Sequence, residues 1–204
     1  SFRIDFKQLV NKSVTVYGQT EVTSELYKSN EQFKSVINNA KNVIPYDINT
    51  DKPYVTFNYQ GQNKKITCDF IAGCDGYHGI TRQKIPKNKI KISERVYPFG
   101  WLGVLSETPP VHKELIYANH ERGFALASMR NKYLSRYYIQ TPIEDKVTEW
   151  SDKKFWIELK KRLPHEAARK LIIGPSIEKS IAPLRSFVAE PMKYGSMFLV
   201  GDAA

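Results

Sequence analysis

The sequence predicts an α/β protein in which a parallel-sheet domain is interrupted by an α+β domain built on a mostly antiparallel sheet. Three observations carry this expectation. The apolar segment Ile71-Ala72 runs into glycines at Gly73, Gly76 and Gly79, as a buried strand does at its carboxyl end. From Val96 the texture changes to aromatic-rich strands at short spacing, punctuated by Pro, Asn and Gly. Phe198 to Val200 is again wholly apolar and leads into Gly201, so the chain leaves one domain, builds a second and returns.

Taken in order, Val14 to Tyr17 is a β-branched run and reads as a strand. Val22, Leu26, Phe33, Ile37 and Ala40 then recur at helical spacing, with Thr20 or Thr23 available as cap. Tyr54 to Tyr59 and Lys64 to Phe70 alternate at period two around Gln60-Gly61-Gln62, which predicts a hairpin whose second strand continues into Ile71-Ala72. Strands follow at Gly100 to Leu105, Glu114 to Tyr117, Gly123 to Met129 and Ser135 to Gln140. Ser151 caps a helix with Phe155, Leu159 and Leu163 on one face, ending before Pro164, and a second helical stretch runs to about Ile172. The boundaries this implies are residues 1–94, 95–183 and 184–204, the first and last belonging to one domain.

The 204 residues have a globular composition and a net charge of +10. That charge is lysine scattered among acids and asparagines, and the aromatics lie in apolar strand patterns, so no nucleic-acid partner is predicted. No apolar run approaches the ~20 residues of a membrane helix, and the opening SFRIDFKQLV lacks the zones of a signal peptide. A cytoplasmic protein with no membrane partner is expected. Cys68 and Cys74 lie on one expected strand without metal-ligand companions, which predicts two reduced core thiols and no metal.

The cluster Gly73-Cys74-Asp75-Gly76-Tyr77-His78-Gly79 lets the backbone turn sharply, either as a plain structural turn or to approach a phosphate. Its spacing is not G-x-G-x-x-G. On the strands, Arg130 pairs with a local acid or awaits an anion, and each of the 12 tyrosines is by default a packing residue. The basic residues His78, Arg82 and Arg185 read as phosphate ligands or, alternatively, as surface ion pairs or helix-end contacts.

IAGCDG with Tyr77-His78-Gly79-Ile80-Thr81-Arg82 resembles the Asp-Gly motif of the flavoprotein aromatic hydroxylases, and Gly201-Asp202-Ala203-Ala204 resembles their Gly-Asp motif. The runs VTVYGQTEVT, ERVYPFGWLG, ELIYANH, RGFALASMR, RYYIQTP and EKSIAPLRSFVAEPM are similar to members acting on 4-hydroxybenzoate. The resemblance covers nearly the whole chain. It implies a partial FAD-binding, Rossmann-like domain carrying an inserted substrate domain. It also implies an internal fragment lacking both ends, inactive when isolated.

The family uses FAD, NADPH and oxygen to place a hydroxyl on a phenol ring, so the resemblance implies hydroxylation of 4-hydroxybenzoate or a related aromatic acid. Ser128, Met129, Arg130 and Tyr138 match positions that bind the substrate carboxylate. Tyr117 matches the tyrosine that meets the substrate hydroxyl and relays its proton. Gln19 and Asp202 match FAD contacts, and His78, Arg82 and Arg185 match residues linked to NADPH. Asp75 shapes the turn rather than reacting. Members of the family are commonly homodimers.

Overall fold

The computed structural model describes residues 2–33 and 36–204, and these contain five α-helices and eleven β-strands. The chain divides into two compact units, one of Ser1–Ser29 with Val96–Leu184 and one of Asn30–Arg95 with Arg185–Ala204. The residues up to Ser29 thus group with the antiparallel unit rather than with residues 30–94. Arg3 accounts for this: its Nε and Nη2 donate to the Glu114 carboxylate at 2.6 to 2.9 Å while Nη1 holds Asp5.

The first unit is built on a five-stranded sheet. Its strands are β5 (Lys91–Ser106), β6 (Ile116–Ala118), β7 (Ala125–Asn131), β8 (Leu134–Pro142) and β9 (Ser176–Glu190), in the order β6-β7-β8-β5-β9. The pairs β6/β7, β7/β8 and β5/β8 are antiparallel, with Leu102 opposite Ile139, Val104 opposite Tyr137 and Ala127 opposite Tyr137 on its other side. Period-two alternation therefore puts Leu102, Val104, Ala125, Ala127, Tyr137 and Ile139 on one buried face. That face packs against α4 (Asp152–Arg162) and α5 (His165–Lys170) through Phe155, Trp156, Leu159, Leu163 and Ala167. Each fully buried side chain contributes roughly 1.5–3 kcal/mol.

Helix α4 forms where the sequence directs it. The Ser151 side chain caps it by accepting from the Lys154 N–H at 3.2 Å. Asp152 occupies the first turn and Lys160, Lys161 and Arg162 the last, both favourable to the helix dipole. Leu163 is already extended ahead of Pro164. The helices α1 (Phe6–Val10) and α2 (Gln19–Asn30) bury no residue.

The second unit holds two small sheets. In one, β1 (Lys41–Tyr46), β2 (Tyr54–Tyr59) and β3 (Gln62–Thr67) form an antiparallel meander. Gln60 and Gly61 both have positive φ, 51° and 78°, the two-residue turn that suits the twist of a hairpin. In the other, β4 (Ile71–Gly73) and β11 (Met197–Leu199) run parallel, and β10 (Lys193–Tyr194) pairs antiparallel with β11. Ile48, Ile71, Ile85, Ala189, Met197, Leu199 and Ala203 form this unit's core.

Several local expectations change. Val14 to Tyr17 is not a strand, since no described strand pairs with it and a strand exists only by pairing. Helix α2 stops at Asn30, ahead of Phe33 and Ile37, and its Leu26 is 58% exposed. Strand β3 ends at Thr67, and β4 belongs to a different sheet. Cys68 is half-buried and Cys74 exposed, so Cys74 is not a core residue, and the two free thiols share no strand.

Candidate functional site

In the first unit the candidate substrate residues converge on the sheet face opposite the helices. Tyr117 pairs with Leu126, Leu126 with Tyr138, and Tyr138 with Gly103, so these four residues form one row across four strands. Tyr117 and Tyr138 stand two strand spacings apart, about 10 Å. Gly103 keeps the row open, because a Cβ there would meet the Tyr138 ring at 2.8 Å. In the next row of that face, Ser128 pairs with Arg136 and Arg136 with Leu105. Trp101 and Phe124 add an aromatic wall: their rings lie 5.0 Å apart, with Trp101 6.0 Å from Tyr138 and Phe124 5.6 Å from Tyr117.

Arg130 lies in the β-bulge between Met129 and Asn131, an irregularity that re-aims a side chain. It is half-buried and has no hydrogen bond or ion pair among the described residues. The local-acid alternative for this arginine therefore fails. Ser128 is buried, and Tyr117 is 66% exposed. Met129 alternates to the opposite face, where it lines a cleft with Val111, His112 and Lys132, so its side chain does not join the others.

Sequence reasoning missed Arg136, Trp101, Phe124 and Leu126 on this face. Arg136 is held by Glu178 at 2.9 Å and lies 5.1 Å from the Tyr138 ring centre, while its Nε is buried without a partner among the described residues. Burial lowers its pKa, but hydrogen bonds to Glu178 and Tyr138 outweigh this and the net shift is upward. The signal was available, since Arg136 stands two residues before Tyr138 on the same strand.

In the second unit the glycine cluster is a turn braced by its own side chains. Asp75 accepts from the Thr81 N–H and hydroxyl, which seats the start of α3 (Ile80–Gln83). Burial pushes the Asp75 carboxyl up, but these bonds prevail and its pKa is lowered. A Cβ on Gly73 would strike Thr81 at 2.3 Å, and one on Gly79 would strike the Asp75 carboxylate. Arg82 ties this turn to the far end of the chain: its Nη1 donates to the Ala203 carbonyl at 2.8 Å and its Nη2 to that of Tyr77. Its guanidinium also lies 4.5 Å from the Phe187 ring centre.

Arg185 donates to the Tyr77 oxygen and to Glu94, and exposed His78 stands edge-on to the Tyr77 ring. Asp202 sits in the turn Gly201–Ala203 at the carboxyl end of β11, exposed and unpaired among the described residues. Gln19 is the exposed first residue of α2, in the first unit.

The residues present suit part of a dinucleotide site. In α/β sheets ligands bind beyond the carboxyl ends of parallel strands, and here β4 and β11 both end in glycine turns. The free Asp202 carboxylate is an acceptor for the hydroxyls of a sugar alcohol such as the ribityl chain. Among the described residues no group of His, Cys, Asp and Glu could hold a metal, and no helix is long and apolar enough to cross a membrane.

Residues 1–204 match the family described as FAD binding domain, and the chain belongs to that family. Its fold is α/β with mostly antiparallel sheets, and it is shared with the two solved structures described below. A p-hydroxybenzoate hydroxylase of Acinetobacter baylyi is 57% identical over 204 residues, covering 100% of this chain and 50% of that protein. The chain thus spans half the length of this curated relative. Among solved structures, the flavin-dependent halogenase CmlS aligns at a TM-score of 0.58 with 17% identity, over 81% of this chain and 30% of that one. Aklavinone-11 hydroxylase, solved with FAD and aklavinone, aligns at 0.58 with 13% identity, over 81% and 32%. At these identities the likeness is one of fold.

Proposed function

We propose that this chain is part of an FAD- and NADPH-dependent monooxygenase that hydroxylates 4-hydroxybenzoate to 3,4-dihydroxybenzoate in aromatic degradation, as a cytoplasmic homodimer. Residues 95–183 are the substrate-binding domain, and residues 1–94 with 184–204 belong to the FAD-binding domain. One observation carries the reading: Tyr117, Ser128 and Tyr138 share an open, aromatic-walled sheet face beside a half-buried Arg130 that has no counter-ion among the described residues. The 57% identical relative supports the substrate.

When bound, FAD reduced by NADPH would activate dioxygen, one atom of which becomes the new hydroxyl and the other leaves as water. The chain's residues do the rest. Arg130 offers its guanidinium fork to the substrate carboxylate, with the Ser128 and Tyr138 hydroxyls completing that oxygen pair's hydrogen bonds. Tyr117, 66% exposed, relays the phenolic proton, accepting it at its oxygen as its own hydroxyl proton passes to solvent, and the substrate left as phenolate carries more electron density on the ring to be hydroxylated. Trp101, Phe124 and Leu126 exclude water from the ring. Asp202 and Gln19 hold FAD, and Arg185 and His78 supply positive charge to NADPH, with Arg82 fixing the turn that carries His78.

The test is NADPH oxidation by the FAD-loaded protein of full relative length, with product analysis. Stimulation by 4-hydroxybenzoate and formation of 3,4-dihydroxybenzoate are expected. Stimulation only by another hydroxylated aromatic acid would shift the reading to a sibling hydroxylase, and none by either would end it. The 204 residues contain no G-x-G-x-x-G turn for the FAD diphosphate, and alone they neither hold FAD tightly nor turn over. Tight, saturable flavin quenching on titrating FAD into them would refute that.

A further inference from the structure

Tyr77, Glu94 and Arg185 close a small hydrogen-bonded triangle. The Tyr77 hydroxyl donates to Glu94 Oε1 at 2.9 Å, and Arg185 Nη1 donates to the Tyr77 oxygen at 2.7 Å and to the same Glu94 oxygen at 3.0 Å. The guanidinium carbon lies 4.8 Å from the Tyr77 ring centre. Both of the Arg185 bonds use a single guanidinium nitrogen. Nε and Nη2 have no partner among the described residues, and the Arg185 side chain is 40% exposed.

The imidazole of His78 packs at 4.8 Å against the same tyrosine ring, also exposed. An imidazole and a guanidinium are thus seated against one aromatic plate, the guanidinium with an unused two-nitrogen edge. An exposed arginine–carboxylate pair adds little stability. What Glu94 does accomplish is orientation: it fixes the rotation of a long side chain that would otherwise sample many rotamers. A planar Nε–Nη2 edge matches two oxygens of a phosphate, and presenting it in place lowers the entropic cost of binding.

We propose that Glu94 and the Tyr77 hydroxyl are positioning residues that hold Arg185 by Nη1, so that its Nε–Nη2 edge receives a phosphate of the nicotinamide dinucleotide while His78 donates beside it. This rests on the NADPH-dependent reading above. The test uses the full-length, FAD-loaded protein and its Glu94→Gln and Tyr77→Phe variants. Binding of 2′,5′-ADP and of NADP is followed by calorimetry, beside steady-state kinetics and FAD content. Tyr77→Phe keeps the ring against which His78 and Arg82 pack and removes only the hydroxyl.

Both variants are expected to weaken 2′,5′-ADP and raise KM for NADPH roughly tenfold, with kcat and KM for the aromatic acid unchanged. Charge alone makes the opposite prediction for Glu94→Gln, since removing a carboxylate strengthens anion binding. Unchanged or tighter 2′,5′-ADP binding in that variant overturns the proposal even if the parent turns over NADPH normally. Absent NADPH turnover in the parent sinks the reading it rests on, while the binding series still decides the positioning role.

Discussion

Asp75 holds Thr81 twice, accepting its backbone N–H at 2.8 Å and its hydroxyl at 2.6 Å. The motif that announces a flavin enzyme in the sequence is thus, in the fold, a brace between a strand end and a short helix. Asp75→Ala removes both acceptors at once. Its urea midpoint should fall by the equivalent of about 1–2 kcal/mol. An unchanged midpoint would mean the brace is dispensable.

Asp152 links the start of α4 to β9, accepting from Lys179 at 2.5 Å and from the Ser176 N–H and hydroxyl at 2.8 and 2.7 Å. The Lys179 bond, against opposing burial, lowers its pKa from 3.8 to about 2. A carboxyl depressed by folding stabilises above its unfolded value and loses that contribution as pH falls from about 4 toward 2. For a carboxylate about one-third exposed, screening reduces this to about 1 kcal/mol. Asp152→Asn should be less stable at pH 7 and converge with the parent near pH 2, as followed by urea titration.

Glu158 sits between two arginines, with Arg122 Nε and Nη2 at 2.9 and 2.8 Å and Arg162 Nε at 3.0 Å. Arg162 is buried, its remaining donors reaching the Phe124 and Gln140 carbonyls, whereas Arg122 is 47% exposed. Glu158→Ala leaves a buried cation without its counter-ion and should cost about 3 kcal/mol. Arg122→Ala should cost much less, since that guanidinium is exposed and screened. Equal losses in thermal melts would contradict the asymmetry.

At the open sheet face, Arg130→Ala should raise KM for 4-hydroxybenzoate roughly a hundredfold or more, the consequence of a carboxylate left without its fork. Tyr117→Phe should lower kcat at least tenfold with KM little changed, as expected for a proton-transfer group. A kcat loss confined to Arg130→Ala, with KM intact, would reverse these two roles.

The legible parts of the fold were those decided by short-range rules. Ser151, the Phe155-Leu159-Leu163 stripe and Pro164 fix α4 within one stretch of sequence, and Gln60-Gly61 fixes the hairpin. The strands of the open face follow from alternation, which also sets Tyr117, Ser128 and Tyr138 on one side. What depends on distant partners was not legible. Val14 to Tyr17 has every local mark of a strand and, among the described residues, no neighbour that pairs with it. The grouping of the residues up to Ser29 turns on Arg3 meeting Glu114, 111 positions away. The bulge that isolates Arg130, and the third arm that Glu94 adds to Tyr77 and Arg185, likewise depend on three-dimensional neighbours.

The parallel pair of β4 and β11 joins Ile71 to Met197, and Arg82 clamps the same junction through Ala203, 121 residues away. A ribosome makes the first half of this contact long before the second exists. The antiparallel unit, with its neighbouring strands β6 to β8, can condense as it emerges, while Ile71 and Ile85 wait as exposed apolar surface for their partners. Synthesis of residues 197–203 is therefore the step that closes the second unit. A stalled or truncated translation product should engage chaperones through that open seam.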